Sequence, residues 1–453
     1  MQENKHTQFQ ELSNKFSFAM KMIHPIHAEE IDIMYQIIGL LGYKYLSENV
    51  KNNTEDMGYE LNENLCYEKL LIDKASAIDI FKEGIKQITE DNDNIQSADV
   101  FYDLFNFVDF KTFSDNDTWL SLINVVEELC SQTTATIGEI IMFLTKYGHD
   151  NGACGSIKST DEIIKLITTN QKDVKNIYDS FVDDVTLLAE VGKIINVENY
   201  YGQHPNVKRC ALAKITLLTN DVNYKNIFIK CNSISEPINW NVKFDLAVTI
   251  PPFSSKLMLN KDDDRFKPYL PKRTEFAYVL DMLYNLDENG TIKIIVANGS
   301  LFSSPDKKLI KYFVDNGLLS SIIGLPGGLL EITAIPTALL TINKKSVNDE
   351  IYYLNLRNTQ TKRLNRKNIS IEDIDKYIEI LHKKEKRELI SAIATIDEIR
   401  ENNYNLAINR YVDLEKLETI DVDKTVYNIK KIKTELKQVD EKITRKLTIL
   451  FKK

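Results

Sequence analysis

The turn after one predicted strand combines two prolines with an aromatic ring. The stretch FDLAVTIPPF (244–253) is a buried apolar strand that runs into Ile250, Pro251, Pro252 and Phe253. The prolines fix the backbone of the turn, and the Phe253 ring at its tip could stack on a planar ligand. Taken alone, IPPF is typical of an apolar strand that ends in a proline turn, so its chemistry depends on what surrounds it.

An alternation of β-rich runs and helical patterns positions this turn. Between about residue 147 and residue 345, runs such as NIYDS, FDLAVTI, TIKIIVAN and ALLTINK alternate with helical periodicity. The alternation predicts an α/β fold, a doubly wound, Rossmann-like domain with a largely parallel sheet. Ligands of such sheets bind outside the carboxyl ends of the strands, where the strand order switches. We therefore expect site residues to follow the strand ends.

The whole chain divides into four parts. Residues 1–146 carry helix-period apolar patterns with few glycines or prolines, which predict a helical N-terminal domain. Residues 147–345 form the α/β domain, residues 346–412 a mixed and more charged extension, and residues 413–453 a helical tail. The tail either packs on its own domain or docks on another subunit. Its apolar residues recur every three or four positions, as in one seam of an amphipathic helix: Val422, Val426, Ile429, Ile432, Leu436, Val439, Ile443, Leu447 and Leu450.

The charge of the chain limits its interactions with nucleic acids. The 453 residues carry a net charge of −9, and 43% of them are hydrophobic, a soluble globular profile. An acidic chain does not coat DNA unaided, because phosphate contacts need clustered lysine and arginine. A role on DNA would use a local basic surface or a partner subunit. The basic runs at 361–368 and 382–388 are candidates, although such runs are more often solvated faces.

Membrane, secreted and metal-binding classes are disfavoured. No apolar run approaches the ~20 residues that span a bilayer, and the polar N-terminus is unlike a secretory signal. The five cysteines are scattered and lack a CxxC pair, so we expect reduced thiols in the cytoplasm and no zinc site. His24 and His27 flank Pro25. No acidic or cysteine partner is evident for them, which favours a surface turn over a pair of metal ligands.

The order of the motifs resembles that of the modification (methyltransferase) subunit of type I restriction–modification systems. The shared order is an aspartate-led strand into PPF, the strand end NGSLF, then IIGLP, TAIPTALLTINK and NYNLAINRYVDLEKLE. The resemblance implies a sheet that binds S-adenosylmethionine and methylates the N6 amino group of adenine in DNA. It also implies that the C-terminal tail docks on helices of a specificity subunit, which reads the DNA sequence.

The cofactor loop departs from that family's pattern. The family has roughly Asp-Pro-x-Cys-Gly-Ser-Gly after the first strand, whereas this chain keeps Asp179 but has no glycine through Val185. Glycine lets the backbone approach a ligand closely, and Val182 and Val185 would place branched side chains where the cofactor lies. Asp183 and Asp184 would add charge beside a ligand that carries a carboxylate.

Three further positions depart from the family. Its Gly-Gln-Glu after the second strand is Gly202, Gln203 and His204 here, and histidine lacks the charge that a ribose diol prefers. Asn232 stands where the family has an aspartate that helps to hold the adenine ring of the cofactor. The asparagine before the two prolines, whose side chain accepts a hydrogen bond from the target amino group, is Ile250.

These departures predict a methyltransferase-like modification subunit that is catalytically inactive and acts in DNA binding and assembly with a specificity subunit. No cofactor is expected to bind. Two alternatives stay open. The first is an active S-adenosylmethionine-dependent DNA adenine-N6 methyltransferase with a divergent pocket, and the second is a free-standing regulator or decoy of a restriction–modification complex. A second modification subunit, a restriction subunit and DNA are the further partners that the resemblance implies.

Overall fold

A computed structural model of the chain describes most of its length. The described residues are 2–22, 28–51, 58–90, 100–131, 133–150, 158–253, 257–266, 269–302, 304–330, 334–345, 348–363, 369–412, 429, 431–437, 439 and 443. Several residues singled out in the sequence lie outside these ranges, namely His24, His27, Cys154, residues 364–368, Val422, Val426, Leu447 and Leu450.

Helices form the N-terminal part of the chain, as predicted. They pack around Trp119, whose ring lies 5.2 Å from that of Phe81 and 5.1 Å from that of Phe110 between centroids. The helix that carries Trp119 begins where the Asp115 side chain accepts a hydrogen bond of 2.8 Å from the Thr118 backbone. The helices are α1 (Gln2–Met22), α2 (Glu30–Lys51), α3 (Tyr67–Ile72), α4 (Ala77–Glu90), α5 (Asn116–Cys130) and α6 (Ile137–Asp150).

One large sheet follows, and in the described part of the chain it has nine strands. Their order is β11-β8-β6-β7-β5-β4-β1-β2-β3, and the pairs from β5 through β4, β1 and β2 to β3 are parallel. The sheet strands are β1 (Asp173–Asp179), β2 (Asn196–His204), β3 (Ile227–Cys231), β4 (Phe244–Thr249), β5 (Leu286–Ala297), β6 (Leu319–Leu325), β7 (Thr337–Asn343), β8 (Glu350–Asn355) and β11 (Ser391–Thr395).

Helices cover both faces of the sheet. On one face, α7 (Asp161–Thr168), α8 (Leu187–Gly192), α9 (Val207–Thr219) and α12 (Ile374–Lys383) share a core with the N-terminal helices. On the other face, α10 (Thr274–Asn285), α11 (Lys307–Asp315) and α13 (Ile396–Glu401) share a second core. Neighbouring residues of β5 alternate between these cores, as side chains of a strand must. The predicted doubly wound α/β fold is therefore confirmed.

The extension at 346–412 adds strands to the same sheet. β8 pairs parallel with β6, and β11 pairs antiparallel with β8. The extension also contributes α12, α13 and a small hairpin of β9 (Thr361–Arg363) and β10 (Ile369–Ile371). The sheet and its core thus continue past residue 345.

The strand order switches direction at β1, which lies between β2 and β4. The carboxyl end of β1 is Asp179, which lies opposite Gly202 of β2 and Val248 of β4. This switch point is where an open α/β sheet binds its ligands. No described helix is long and apolar enough to cross a membrane.

Candidate functional site

The sheet brings the candidate residues together at the switch point. Asp179 ends β1, His204 ends β2 opposite Cys231 of β3, and Ile250 follows β4 directly. All three strand ends point to the same edge because the strands are parallel. The candidate cofactor loop and the candidate catalytic turn are therefore neighbours, as the resemblance implies.

The loop after β1 folds onto β2 and closes the space between them. The Val182 amide donates a hydrogen bond of 3.0 Å to the Gln203 carbonyl. Val182 is only 1% exposed, and a Cβ atom at Gly202 would lie 2.4 Å from its Cγ2 atom. Val185 is buried in the same core. The Val182 and Val185 side chains thus lie where glycines would leave room for a ligand.

The two aspartates of this loop differ from each other in their contacts. The Asp184 carboxylate accepts hydrogen bonds from the Ser159 amide at 2.6 Å and from its hydroxyl at 2.5 Å. It also accepts one from the Thr186 hydroxyl at 2.7 Å. The expectation that Asp184 places charge beside a ligand is wrong, because the carboxylate is buried and ties the loop to the start of α7. Asp183 lies 3.4 Å from Arg209 Nε on α9.

His204 is held as a neutral ring. Its Nδ1 atom accepts a hydrogen bond of 3.0 Å from the Asn206 amide. Burial, with a contribution from the nearby Arg209 charge, lowers the pKa of His204 to about 4. The ring of Phe181 lies 4.5 Å from that of His204 and 5.3 Å from that of Tyr278. These three rings cover the carboxyl ends of β1 and β2.

Asp179 is buried without an ionic partner among the described residues. One carboxylate oxygen accepts a hydrogen bond of 2.9 Å from the Phe181 amide, while Oδ2 has no hydrogen-bond partner of good geometry. Burial raises the pKa of the Asp179 carboxyl to about 7. The Asp179 carboxyl therefore holds a proton for much of the time near neutral pH. That protonation is typical of a carboxyl group in the protein interior rather than in a solvated binding site.

Gln203 points to the other face of the sheet, into a polar network that the sequence did not reveal. Its amide donates a hydrogen bond of 2.7 Å to the Tyr178 hydroxyl, which donates one of 2.7 Å to Asp281 of α10. Asn232 donates to the Gln203 side-chain oxygen at 2.9 Å. Arg265 donates to Asp281 at 2.7 Å, and both side chains are 2% exposed. Gln203 and Asn232, both cofactor candidates, thus bind each other and the protein interior.

Asp281 carried a signal that could have revealed this network. It is the one acidic residue within the apolar stretch FAYVLDMLYN, where a carboxylate needs a buried cation or hydroxyl as partner. The partners themselves lie far along the chain, at Tyr178 and Arg265. Only the fold places them beside α10.

The side chains of the IPPF turn are mostly buried. Ile250 is 3% exposed, and its side chain belongs to the core that contains Val182 and Val185. Pro251 is buried, and Phe253 is half-buried against the same core. Ile250 offers no hydrogen-bond acceptor, so the polar groups left at the turn are backbone carbonyls.

Metal and disulfide chemistry have no support in the described part of the chain. No group of three or more His, Cys, Asp or Glu side chains is placed to hold an ion there. The described cysteines are free: Cys66, Cys130, Cys210 and Cys231.

Comparison with known proteins identifies the family. Residues 135–419 match the family described as N-6 DNA Methylase. The chain belongs to the N-6 DNA methylase family. The methylase subunit of the type I restriction enzyme MpnII of Mycoplasma pneumoniae is 24% identical over 493 aligned residues, which cover 90% of each chain. That of MjaVII of Methanocaldococcus jannaschii is 25% identical and covers 80% of this chain and 68% of its own.

Solved structures support the same fold. A type I restriction–modification methyltransferase subunit from Streptococcus thermophilus aligns with a TM-score of 0.74 and 21% identity, over 90% of this chain and 99% of that one. A chain from a structural study of complex assembly in a type I system aligns with a TM-score of 0.65 and 12% identity, over 96% and 98%. The chain is therefore similar to type I methylase subunits over nearly its whole length.

The residues at these strand ends differ from those that the resemblance assigns to S-adenosylmethionine. Val182 occupies the close approach above Gly202. His204 offers a neutral ring in place of a carboxylate, and the Asn232 amide is already bonded to Gln203. Four buried polar atoms at these strand ends have no hydrogen-bond partner among the described residues, namely Asp179 Oδ2, Ser180 Oγ, His204 Nε2 and Thr249 Oγ1, although His204 Nε2 lies 3.6 Å from Asp183.

The burial of Asp179 predicts a specific pH dependence of stability. Its folded pKa, about 7, is above the ordinary value of 3.8. The folded state therefore binds a proton on Asp179 more tightly than the unfolded state does. The stability that this proton contributes is fully present below pH ~4 and is lost as pH rises through about 7. Asp179→Asn should stabilise the protein by on the order of 4 kcal/mol at pH 8.5 and by about 1.5 kcal/mol at pH 5, because the loss begins above the ordinary pKa of 3.8.

Urea unfolding at the two pH values measures this effect. The exposed Asp262→Asn serves as a control, because it makes the same chemical change outside the core. Equal effects of Asp179→Asn at both pH values would contradict the assignment of a buried, proton-binding carboxyl.

The polar network around Asp281 predicts a strongly non-additive pair of substitutions. Arg265→Met leaves the Asp281 carboxylate without its cation and should cost about 3–5 kcal/mol of unfolding free energy. Arg265→Met with Asp281→Leu removes the charges of this pair, leaves Asp263 without the same cation, and should cost less than the sum of the two single changes. Urea unfolding of both variants and of Asp281→Leu measures the coupling. If the losses of unfolding free energy in the two single variants add up to the loss in the double variant, the Arg265–Asp281 pair is not coupled as described.

Proposed function

We propose that this chain is a type I methylase-like subunit that no longer transfers methyl groups and that serves assembly with a specificity subunit on DNA. The observation that carries the proposal is the filled cofactor pocket, with Val182 packed on Gly202 and Phe181 over His204. Relatives in the family are methylase subunits of type I restriction enzymes. The fold is retained in this chain, while the space for the ligand is taken by core side chains.

The chemistry of the turn supports the loss of activity. An adenine amino group that is to be methylated needs acceptors that polarise its nitrogen towards the methyl group. Ile250 supplies none, and loss of one preorganised polar contact costs about 3–4 kcal/mol of transition-state stabilisation. Burying an amino group without its partner costs a further ~1–3 kcal/mol. An active enzyme with a divergent pocket remains the competing hypothesis, since the Pro251 carbonyl and the Phe253 ring are still present.

The tail supports a role in assembly. Five of its apolar residues are about half exposed, between 48% and 57%, and follow a spacing of three, four, three and four. That spacing produces the single apolar seam of a helix that packs against other helices. A row of large apolar side chains left in water favours burial against a partner. We assign helices of a specificity subunit as that partner. The residues are Ile429, Ile432, Leu436, Val439 and Ile443.

The first test is cofactor binding. Calorimetric titration of the full chain with S-adenosylmethionine should show no saturable binding, because the pocket is filled. The triple variant Val182→Gly, Val185→Gly and His204→Glu restores glycines and a carboxylate and should recover measurable binding. A dissociation constant of ~10 μM or tighter for the unmodified chain, about −7 kcal/mol, would refute the filled pocket.

The second test is methyl transfer. Ile250→Asn alone should stay inactive because the cofactor pocket remains filled, and the triple variant alone should bind cofactor without turnover. Only the combination should yield N6-methyladenine, because chemistry needs both ligands positioned together. The assay is tritiated methyl transfer to mixed-sequence DNA in the presence of a specificity subunit. Methylation by the unmodified protein would overturn the non-catalytic proposal, and activity from Ile250→Asn alone would favour the divergent enzyme.

The third test concerns the tail. Truncation after Val412 should abolish co-purification with a specificity subunit co-expressed from the same genome, while the melting temperature of the sheet domain stays nearly unchanged. Ile432→Asn with Leu436→Asn should do the same through the seam. Lys433→Asn with Lys437→Asn is the matched control on the same helix. If truncation unfolds the sheet domain, the tail belongs to the intrachain core and the docking assignment is wrong.

A further inference from the structure

A separate cavity opens at the carboxyl edge of the sheet, beyond the filled pocket. Its volume is about 340 Å³. It is lined by Phe302 after β5, by Lys307 and Ile310 of α11, by residues 401–405 and by Arg410. We call it the edge cavity. Because β5 pairs parallel with β4, the strand end that leads to Phe302 lies beside the strand end that leads to the IPPF turn.

The edge cavity carries positive charge in an otherwise acidic chain. Lys307 of α11 lines the cavity, and Lys308 and Lys311 are exposed on the same helix outside the lining. Lys307 and Lys308 form no ion pair with a described residue, and Arg410 adds a further cation at the rim. The lining includes one acid, Glu401. With a net charge of −9 on the chain, such a cluster attracts anions locally where the rest of the surface repels them.

Two acidic residues near this helix, Asp315 at its C-terminal end and Asp397 on α13, are paired with an arginine, whereas Asp306, which precedes Lys307, is buried and accepts a hydrogen bond of 2.7 Å from the Lys272 amide. The Asp315 carboxylate accepts a hydrogen bond of 2.9 Å from Arg400 and one of 3.3 Å from the Tyr404 hydroxyl. Arg400 also donates to Asp397 at 2.9 Å. Asp315 and Asp397 therefore pair with Arg400, and Lys311 lies over the Tyr404 ring, so Lys307 and Lys308 are the lysines of α11 that face a ligand from outside.

An exposed aromatic ring and a fixed loop complete the cavity. Phe302 is 51% exposed, unusual for a large apolar ring. Opposite it, Asn403 and Tyr404 both have positive φ, 56° and 58°, a backbone that non-glycine residues seldom adopt. The Leu406 amide donates to the Leu301 carbonyl at 3.0 Å and ties this loop to the segment that carries Phe302. The backbone segment that carries Phe302 is thus held against the loop that carries Tyr404.

We propose that the edge cavity binds a nucleotide of a single DNA strand, with its phosphate at Lys307 and Lys308 and its base stacked on Phe302. Cations that track a backbone beside a ring that stacks a base are the features of sequence-independent binding to single strands. The inference rests on the proposed function for its choice of DNA as ligand. It places a DNA contact on this chain that needs neither cofactor nor methyl transfer, next to the turn where a displaced base would lie.

The test uses the full chain and two fluorescent oligonucleotides of mixed sequence, one single-stranded and one duplex, at low salt. Fluorescence anisotropy gives the dissociation constant and its salt dependence. Lys307→Glu with Lys308→Glu should weaken binding of the single strand by about tenfold or more and reduce the slope of log K against log salt by about 1 to 1.5. Lys86→Glu with Lys111→Glu, exposed lysines of the N-terminal helical part, is the charge-matched control and should change both much less.

Phe302→Ala tests the stacking contact separately. It should weaken single-strand binding by about fivefold or more while leaving the salt slope and duplex binding unchanged, because a ring contributes stacking and no charge. Equal losses from the two lysine pairs, or no binding of the single strand by the unmodified chain at low salt, would overturn the edge cavity as a DNA site. Neither outcome affects the proposed loss of methyl transfer or the tail assignment, which have their own readouts.

Discussion

The contact of Val182 with Gly202 is the constraint on which the rest of the site depends. The loop after β1 reaches β2 because residue 202 has no side chain, and the Val182 side chain fills the gap that the glycine leaves. The backbone bond from Val182 to Gln203 fixes that approach, and the Asp184 carboxylate anchors the far side of the loop to Ser159. In the family, glycine near this site lets a ligand approach the backbone. In this chain, Gly202 lets the Val182 side chain pack against β2. The position of Phe181 over His204, and the neutral state of that ring, follow from this closure.

A second layer of polar contacts orders the strand ends. Gln203, Tyr178 and Asp281 form a chain of hydrogen bonds that joins β2 and β1 to α10, and Arg265 balances the buried carboxylate. Buried networks of this kind stabilise a fold only when every member has its partners, and here most donors and acceptors do. Arg265 follows the IPPF turn in sequence, so the network also restrains the described segment around Arg265.

The fold could be predicted from the sequence, whereas the use of individual polar residues could not. Alternating β-rich and helical patterns were enough for the doubly wound sheet, because buried parallel strands and their crossover helices leave strong local signals. The pattern did not reveal that β8 and β11 extend the same sheet, since strand partners are set by tertiary packing. Gln203 and His204 are neighbours that point to opposite faces, so one joins a polar network and the other an aromatic cover. Asp184 was misjudged because its partner, Ser159, lies in the segment before α7, and only the folded chain brings the two together.

Filling the pocket changes what the stability of the subunit depends on. A methyltransferase that binds its cofactor gains stability in proportion to RT ln(1 + [L]/Kd), so its structure responds to cofactor supply. Burying a valine side chain instead contributes roughly 1.5–3 kcal/mol that no ligand concentration alters. Val182, Val185 and Ile250 lie in one continuous core with the helices of the N-terminal part. The strand ends are thus held by the protein's own side chains, which is the property that the proposed assembly role requires.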